Sequence, residues 1–350
     1  MLKKTKFIFL GAGFFLLLFL FYSFGVEETI KNIQKMGFSF GIIILIYLFN
    51  HIFLTFGWKI LINSRIRPKN FIKLILARIA GDSTSSINAL GAVAGEPLKA
   101  FYIKDIIPFK IGLASVILDR TVHTLANILV ILTGILVSLF VLPIPKYITL
   151  LTLIFILFTL YLIISLLKKQ QQGFFNYIIS KIPVKITNRF RIITPERQKK
   201  IDELDEEIKY IFKNRSNLRK FNYSLLIHYF SIIISGTLEI FLIIKFSGSI
   251  ANLKIVDSLF VYIFGFLLTS AMFFMPANLG TSEGSYILAL KLLGYKNFAG
   301  LGLYIGVVRR LRTFVWALIG VIILLSARIL KPSLSLEKIN ESVKENNNIT

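Results

Sequence analysis

The sequence predicts an all-α polytopic membrane protein, with about six spanning helices and two re-entrant helical hairpins arranged as an inverted repeat. Three observations lead there. Apolar runs near the length needed to cross a bilayer, about 20 residues, recur along the chain. The 350 residues are 55% hydrophobic and only 17% charged, yet the net charge is +23; a soluble basic domain would bury less and carry more charge of both signs. Two further apolar segments are interrupted by Gly-rich polar stretches. Cysteine is absent, which excludes disulfide frameworks, zinc-cysteine sites and thiol chemistry.

Residues 7–26 follow Lys3, Lys4 and Lys6 like the start of a signal peptide, but without a small-x-small cleavage site they read as an uncleaved first helix. Spans are then expected at 38–62, 121–142, 147–167, 224–247 and 313–327. Residues 71–110 begin apolar, break at GDSTSSINALGAVAGEP and resume. Residues 255–297 do the same around PANLGTSEG. The chain therefore divides into a membrane half at 1–167, a basic loop at 168–220, a second membrane half at 221–331 and a polar tail at 332–350.

Charge bias gives the sidedness. The segment 58–78 carries Lys59, Arg65, Arg67, Lys69, Lys73 and Arg78 with no acid, and 168–220 carries 14 basic against 6 acidic residues, so both are expected inside. The acid-balanced loop 27–37 is expected outside. Two spans, joined by Pro143-Ile144-Pro145, already connect the two inner segments. By parity, 71–110 must enter and leave from the same face, as a re-entrant hairpin whose polar tip is shielded by protein or water; two short tilted helices are the alternative. The second half repeats the order helix, broken segment, long helix. Its tip (Asn278, Leu279, Gly280, Glu283) loosely echoes the first (Asn88, Leu90, Gly91, Glu96), and its first helix runs the opposite way. Inverted repeats with broken helices suit alternating access around a midplane site. Both termini are expected to be cytoplasmic, in the inner or plasma membrane.

Intramembrane charges are the candidate site: Glu96, Lys99, Asp119, Arg120, Glu283, Arg309, Arg310 and Arg312. An arginine at such depth costs about 2.5–3.5 kcal/mol unless it meets a partner or a wet cavity, and guanidinium grips phosphate through two parallel hydrogen bonds. The three second-half arginines have at most one carboxylate, Glu283, in view. They should await an anion, with an anionic lipid headgroup the natural ligand. The plainer alternative pairs Arg120 with Asp119 or Glu96 and leaves the others at the water interface. Glu96, Lys99 and Glu283 could orient the headgroup or couple movement to protons. Asp82, followed by Ser83, Thr84, Ser85 and Ser86, could line a polar cavity but reads chiefly as a cap for the hairpin's second helix.

His51, His123 and His228 lack ligand-like spacing, so no metal is expected, and no cofactor is implied. GAVAGEPLK lacks the ending of a phosphate loop, no nucleophile motif is present, and the chain is not expected to be an enzyme. The loop 168–220 reads as a solvated or amphipathic helix pair near anionic lipids, with no nucleic-acid partner expected.

The segments GEPLKAFYIKD (95–105), SVILDRTVHTLANI (115–128), MPANLGTSEGSYILALKLLGY (275–295) and GVVRRLRTFVWALIGVIIL (306–324) resemble, in this order, the lysylphosphatidylglycerol synthase transmembrane-region family, also described as flippase-like or UPF0104 membrane proteins. That resemblance implies movement of lipid between leaflets, of aminoacylated phosphatidylglycerol in bifunctional members, with hopanoid or polyprenyl-glycan membranes associated with stand-alone ones. It places Glu96, Arg120, Glu283 and Arg309 or Arg310 on characteristic positions. Only a polar tail follows Lys331, so the soluble synthase domain is expected to be missing and lysyl transfer is not expected. The expected function is translocation of an anionic or phosphate-bearing lipid, polyprenyl-linked lipids included. The alternatives are a non-transporting accessory protein of lipid or glycan biosynthesis, or an intramembrane lipid-modifying enzyme using Glu96 or Glu283 as base. Expected partners are the lipid and the membrane, with a biosynthetic enzyme or a second copy left open.

Overall fold

The computed structural model describes residues 36–62, 64–87, 91–141, 195–247, 254–271, 280–296 and 298–326, with scattered positions between them. The predicted first helix at 7–26, the turn Pro143-Ile144-Pro145, the tip residues Asn88, Leu90, Asn278 and Leu279, and the tail lie outside these residues. Within 147–167 the positions described are helical.

The described elements are helices α1 (Ser39–Leu61), α2 (Phe71–Ile87), α3 (Gly91–Tyr102), α4 (Phe109–Val141), α5 (Pro195–Lys213), α6 (Arg215–Phe246), α7 (Ile255–Ala271), α8 (Thr281–Leu292) and α9 (Phe298–Ser326), with a 3₁₀ turn at Pro68–Asn70. Three of them, α1, α4 and α6, are long and apolar enough to cross a membrane.

Local chemistry sets several of the ends. Asn214 caps α6, its side chain accepting from the Ser216 N–H at 3.0 Å. The helix α8 opens at Gly280 and is closed by Gly294, both with positive φ (75° and 80°). At Gly294 the Tyr295 N–H returns to the Leu290 carbonyl and the Gly294 N–H to Lys291, a Schellman closure that favours glycine.

One expected boundary is corrected, and a second is decided between two readings. The first hairpin was expected to break from Gly81 onward, but α2 runs on to Ile87. The hydroxyls of Ser83, Thr84 and Ser85 bond back to the carbonyls of Ile79, Ala80 and Gly81 at 2.6, 2.9 and 3.1 Å, so these polar residues stay inside the helix. For the last helix, a run from about 298 to 328 would put its arginines inside, whereas a span of 313–327 alone would leave them at the interface; α9 runs Phe298–Ser326, so they lie in the helix interior.

The packing follows an exchange rule. Helices α1 and α6 lie against each other. Helix α2 packs on α3 and α3 on α4, while α2 also packs on α9. Helix α7 packs on α8 and α8 on α9, while α7 also packs on α4. The pairs α2–α3 and α7–α8 thus each lie between α4 and α9.

Glycines permit these approaches. A Cβ on Gly81 would lie 2.9 Å from the Gly95 carbonyl oxygen across α2 and α3; on Gly302 it would lie 2.6 Å from the Ile287 nitrogen across α8 and α9. The main core gathers around Ile240, Ile244, Ile263, Leu290 and Ile305. A second lies around Trp58, Leu74, Ala100, Ile103 and Val116. The amphipathic α5 drops Ile208 into a third, with Leu118, Val122 and Phe221.

Candidate functional site

The charged residues of the helix interiors fall into four groups. In the first, α2 brings Arg78 to Asp119 of α4, its Nη2 donating to the carboxylate at 2.6 Å and to the Leu54 carbonyl at 3.0 Å. His228 of α6 reaches the same carboxylate, Nε2 lying 3.1 Å from Oδ1. All three are at most 2% exposed. His228 fits because residue 57 is glycine: a Cβ there would stand 2.7 Å from the imidazole ring.

The second group draws its residues from α1, α2, α3 and α4. Lys99 of α3, buried, holds Asp82 at 2.7 Å and stands 3.4 Å from Glu96. His51 of α1 lies 3.6 Å from the other Asp82 oxygen. Arg120 approaches Glu96 only to 3.7 Å, and 46% of its side chain is exposed.

In the third group Glu239 of α6, 2% exposed, accepts from two arginines of α9, Arg309 Nε at 3.1 Å and Arg312 Nη1 at 2.5 Å. Arg309 also donates to the Tyr286 hydroxyl and lies between the rings of Tyr262 and Tyr286, 5.4 and 5.5 Å from their centroids. In the fourth, Arg310 grips Glu283 of α8 by both carboxylate oxygens, at 2.5 and 2.7 Å, and donates to Ser282. Gly306 makes room for that carboxylate, since a Cβ there would meet Glu283 Cγ at 2.6 Å.

An aromatic bridge joins the second and third groups. The Arg312 guanidinium lies 4.0 Å from the Tyr47 ring centroid, Tyr47 meets His51 edge-on at 4.9 Å, and Trp316 lies 4.9 Å from His51 on another side.

Several expectations change. Asp119 pairs with Arg78, which had read as an orientation charge, and Arg120 turns instead towards Glu96. Asp82 is a mid-helix ion-pair partner and not a cap. The three second-half arginines are served by two carboxylates, because Glu239 faces them from α6. That group therefore keeps one net positive charge, less than the expected excess. Arg78, Asp82, His51 and His228 join the polar interior along with Glu239. A lone carboxylate within the apolar run 224–247 was itself a signal, since an acid at that depth is costly unless partnered.

The chain matches the family described as lysylphosphatidylglycerol synthase TM region over residues 6–331. No curated protein and no solved structure matches it. A family match spanning nearly the whole chain, on an all-helical scaffold with membrane-length apolar helices, identifies the chain as a membrane protein belonging to the lysylphosphatidylglycerol synthase TM region family.

Proposed function

We propose that the chain is a flippase-like translocator that moves an anionic or phosphate-bearing lipid, polyprenyl-linked lipids included, between the leaflets of the cell membrane. The observation that carries this reading is Arg120. It stands eleven residues into α4, about 17 Å along the helix at 1.5 Å per residue, half-exposed and 3.7 Å from its nearest carboxylate, beyond hydrogen-bond range. Arg78, Arg309, Arg310 and Arg312, by contrast, make close hydrogen bonds to carboxylates. A phosphate at Arg120 would supply the hydrogen bonds that Glu96 does not. One and two turns further on, Thr124 is exposed and Asn127 half-buried.

In this reading α2 with α3 and α7 with α8 are the two re-entrant hairpins of an inverted repeat, with about six spans and cytoplasmic termini. The exchange rule in their packing supports it. Lipid movement then needs no catalytic residue, and no lysyl transfer is assigned. The test is headgroup exposure in proteoliposomes holding labelled phosphatidylglycerol, against protein-free vesicles. Protein-dependent exchange between leaflets supports the reading, and equal rates with and without protein, for phosphatidylglycerol and for a labelled polyprenyl phosphate alike, would refute it.

A second reading, a non-transporting accessory protein docking a biosynthetic enzyme or a second copy, draws on the direct pairing of Arg309, Arg310 and Arg312 with Glu239 and Glu283. It predicts no exchange in the same vesicles.

A further inference from the structure

The two hairpins each send a glutamate from their second arm to an arginine of the long helix that follows: Glu96 to Arg120 and Glu283 to Arg310. The second pair is closed, with both carboxylate oxygens bonded to the guanidinium and Ser282 beside them. The first is open. Glu96 is only 8% exposed, yet neither of its oxygens accepts a hydrogen bond.

Its surroundings explain why. Lys99, three residues on, is committed to Asp82 at 2.7 Å and stands 3.4 Å away without hydrogen-bond geometry. From α4, Arg120 stops at 3.7 Å, while Asp119 is held by Arg78 of α2 and His228 of α6. From α2, Asp82 presents a second negative charge, shared with His51 of α1. The charges of Lys99 and Arg120 offset only part of the cost of burying an ionised carboxylate that accepts no hydrogen bond, and a proton removes the remainder.

An anion arriving at Arg120 sharpens the conflict, since it would bring a further negative charge to within a few ångströms of Glu96. Resting on the lipid-binding reading above, we infer that Glu96 exchanges a proton in step with the anion at Arg120. The carboxylate takes up one proton when a phosphate-bearing headgroup binds the guanidinium and returns it when the headgroup leaves. The step is a simple protonation, the carboxylate plus a hydronium ion from bulk solvent giving the carboxyl and water, reversed when the headgroup leaves. By linkage, the headgroup binds more tightly as pH falls, and the bound headgroup raises proton occupancy by the same factor. A proton gradient could then drive the lipid.

The experiment uses the full chain in detergent, titrated with short-chain phosphatidylglycerol, whose phosphodiester stays ionised between pH 5 and 8. Binding is read by calorimetry, and proton uptake by an indicator dye in weak buffer. Wild type is expected to take up as much as one proton per lipid and to bind up to about tenfold more tightly per pH unit downward. Glu96→Gln is expected to bind with no uptake and a flat pH profile, while Asp105→Asn, at an exposed carboxylate, keeps the wild-type behaviour. Should Glu96→Gln fail to fold, Glu96→Asp must shift the pH midpoint of uptake.

Binding by wild type without uptake overturns the proton linkage and leaves the lipid reading standing. Uptake that persists in Glu96→Gln, or an unmoved midpoint in Glu96→Asp, overturns the assignment to Glu96. Failure of wild type to bind at any pH overturns the lipid reading and this inference with it. Sulfate serves as a free-anion arm: uptake equal to that with the lipid would make the ligand a free anion and overturn the headgroup assignment.

Discussion

Glu239 and Arg312 meet at 2.5 Å between α6 and α9, and the same carboxylate also holds Arg309, so one acid in an apolar helix serves two guanidiniums. Removing one partner of a buried ion pair typically costs about 3–5 kcal/mol, because the remaining charge is left uncompensated. Glu239→Ala should lose stability on that scale, read as a lowered midpoint of thermal unfolding in detergent. An unchanged midpoint would mean that the two arginines find other partners.

Arg78 and Asp119 are as deeply buried as Glu239, each 2% exposed, so their role is expected to be structural. Arg78→Met or Asp119→Leu alone should each cost about 3–5 kcal/mol, whereas the double variant should recover more than half of the loss. Recovery stays incomplete because His228 loses its carboxylate partner. A double variant no better than the singles would contradict this account of the pair.

The contact between α2 and α9 depends on a missing side chain. A Cβ on Gly320 would collide with the Ser83 side chain and lie 2.8 Å from the Ile79 carbonyl oxygen. Ser83 is held in place by donating to the carbonyls of Ile79 and Trp316. Gly320→Ala should therefore destabilise by about 1–3 kcal/mol through overpacking. Adding Ser83→Ala should relieve part of the loss, a non-additivity that unfolding midpoints of the single and double variants would measure.

Outside the spans, Asp105 between α3 and α4 pairs with Lys73. Partial burial opposes its ionisation, but the Lys73 hydrogen bond prevails and holds its carboxyl below the ordinary 3.8. The folded value lies below the unfolded one. The pair's contribution is thus present above the ordinary carboxylate range and lost as pH falls through the lowered folded value. Both groups are substantially exposed, so Asp105→Asn should cost no more than about 1 kcal/mol at neutral pH. The difference from wild type should vanish in acid, as unfolding midpoints measured across pH would show.

Helix positions were the legible part of the sequence, because hydrophobic length alone locates α1, α4 and α6. The hairpin breaks were overextended because a Ser/Thr cluster reads as a loop, while its hydroxyls can bond back to the helix that carries them. Glu96, Glu283 and their arginines were legible as unusual charges in apolar surroundings. Their pairing was not. Asp119 is adjacent to Arg120 in sequence but points to Arg78 on another helix, and Glu239 lies 73 residues before Arg312. Such partners come together only through the crossing of α6 with α9 and of α2 with α4, which periodicity within a single helix does not encode.

Arg120 is where the account is most exposed to measurement. In proteoliposomes with labelled phosphatidylglycerol, headgroup exchange should be fast with wild type and should fall at least about tenfold in Arg120→Ala, the loss of one charged hydrogen-bond pair. Arg120→Lys should fall between them, since a lysine keeps the charge but not the two-pronged grip. Exchange at the wild-type rate in a folded Arg120→Ala variant would contradict the account.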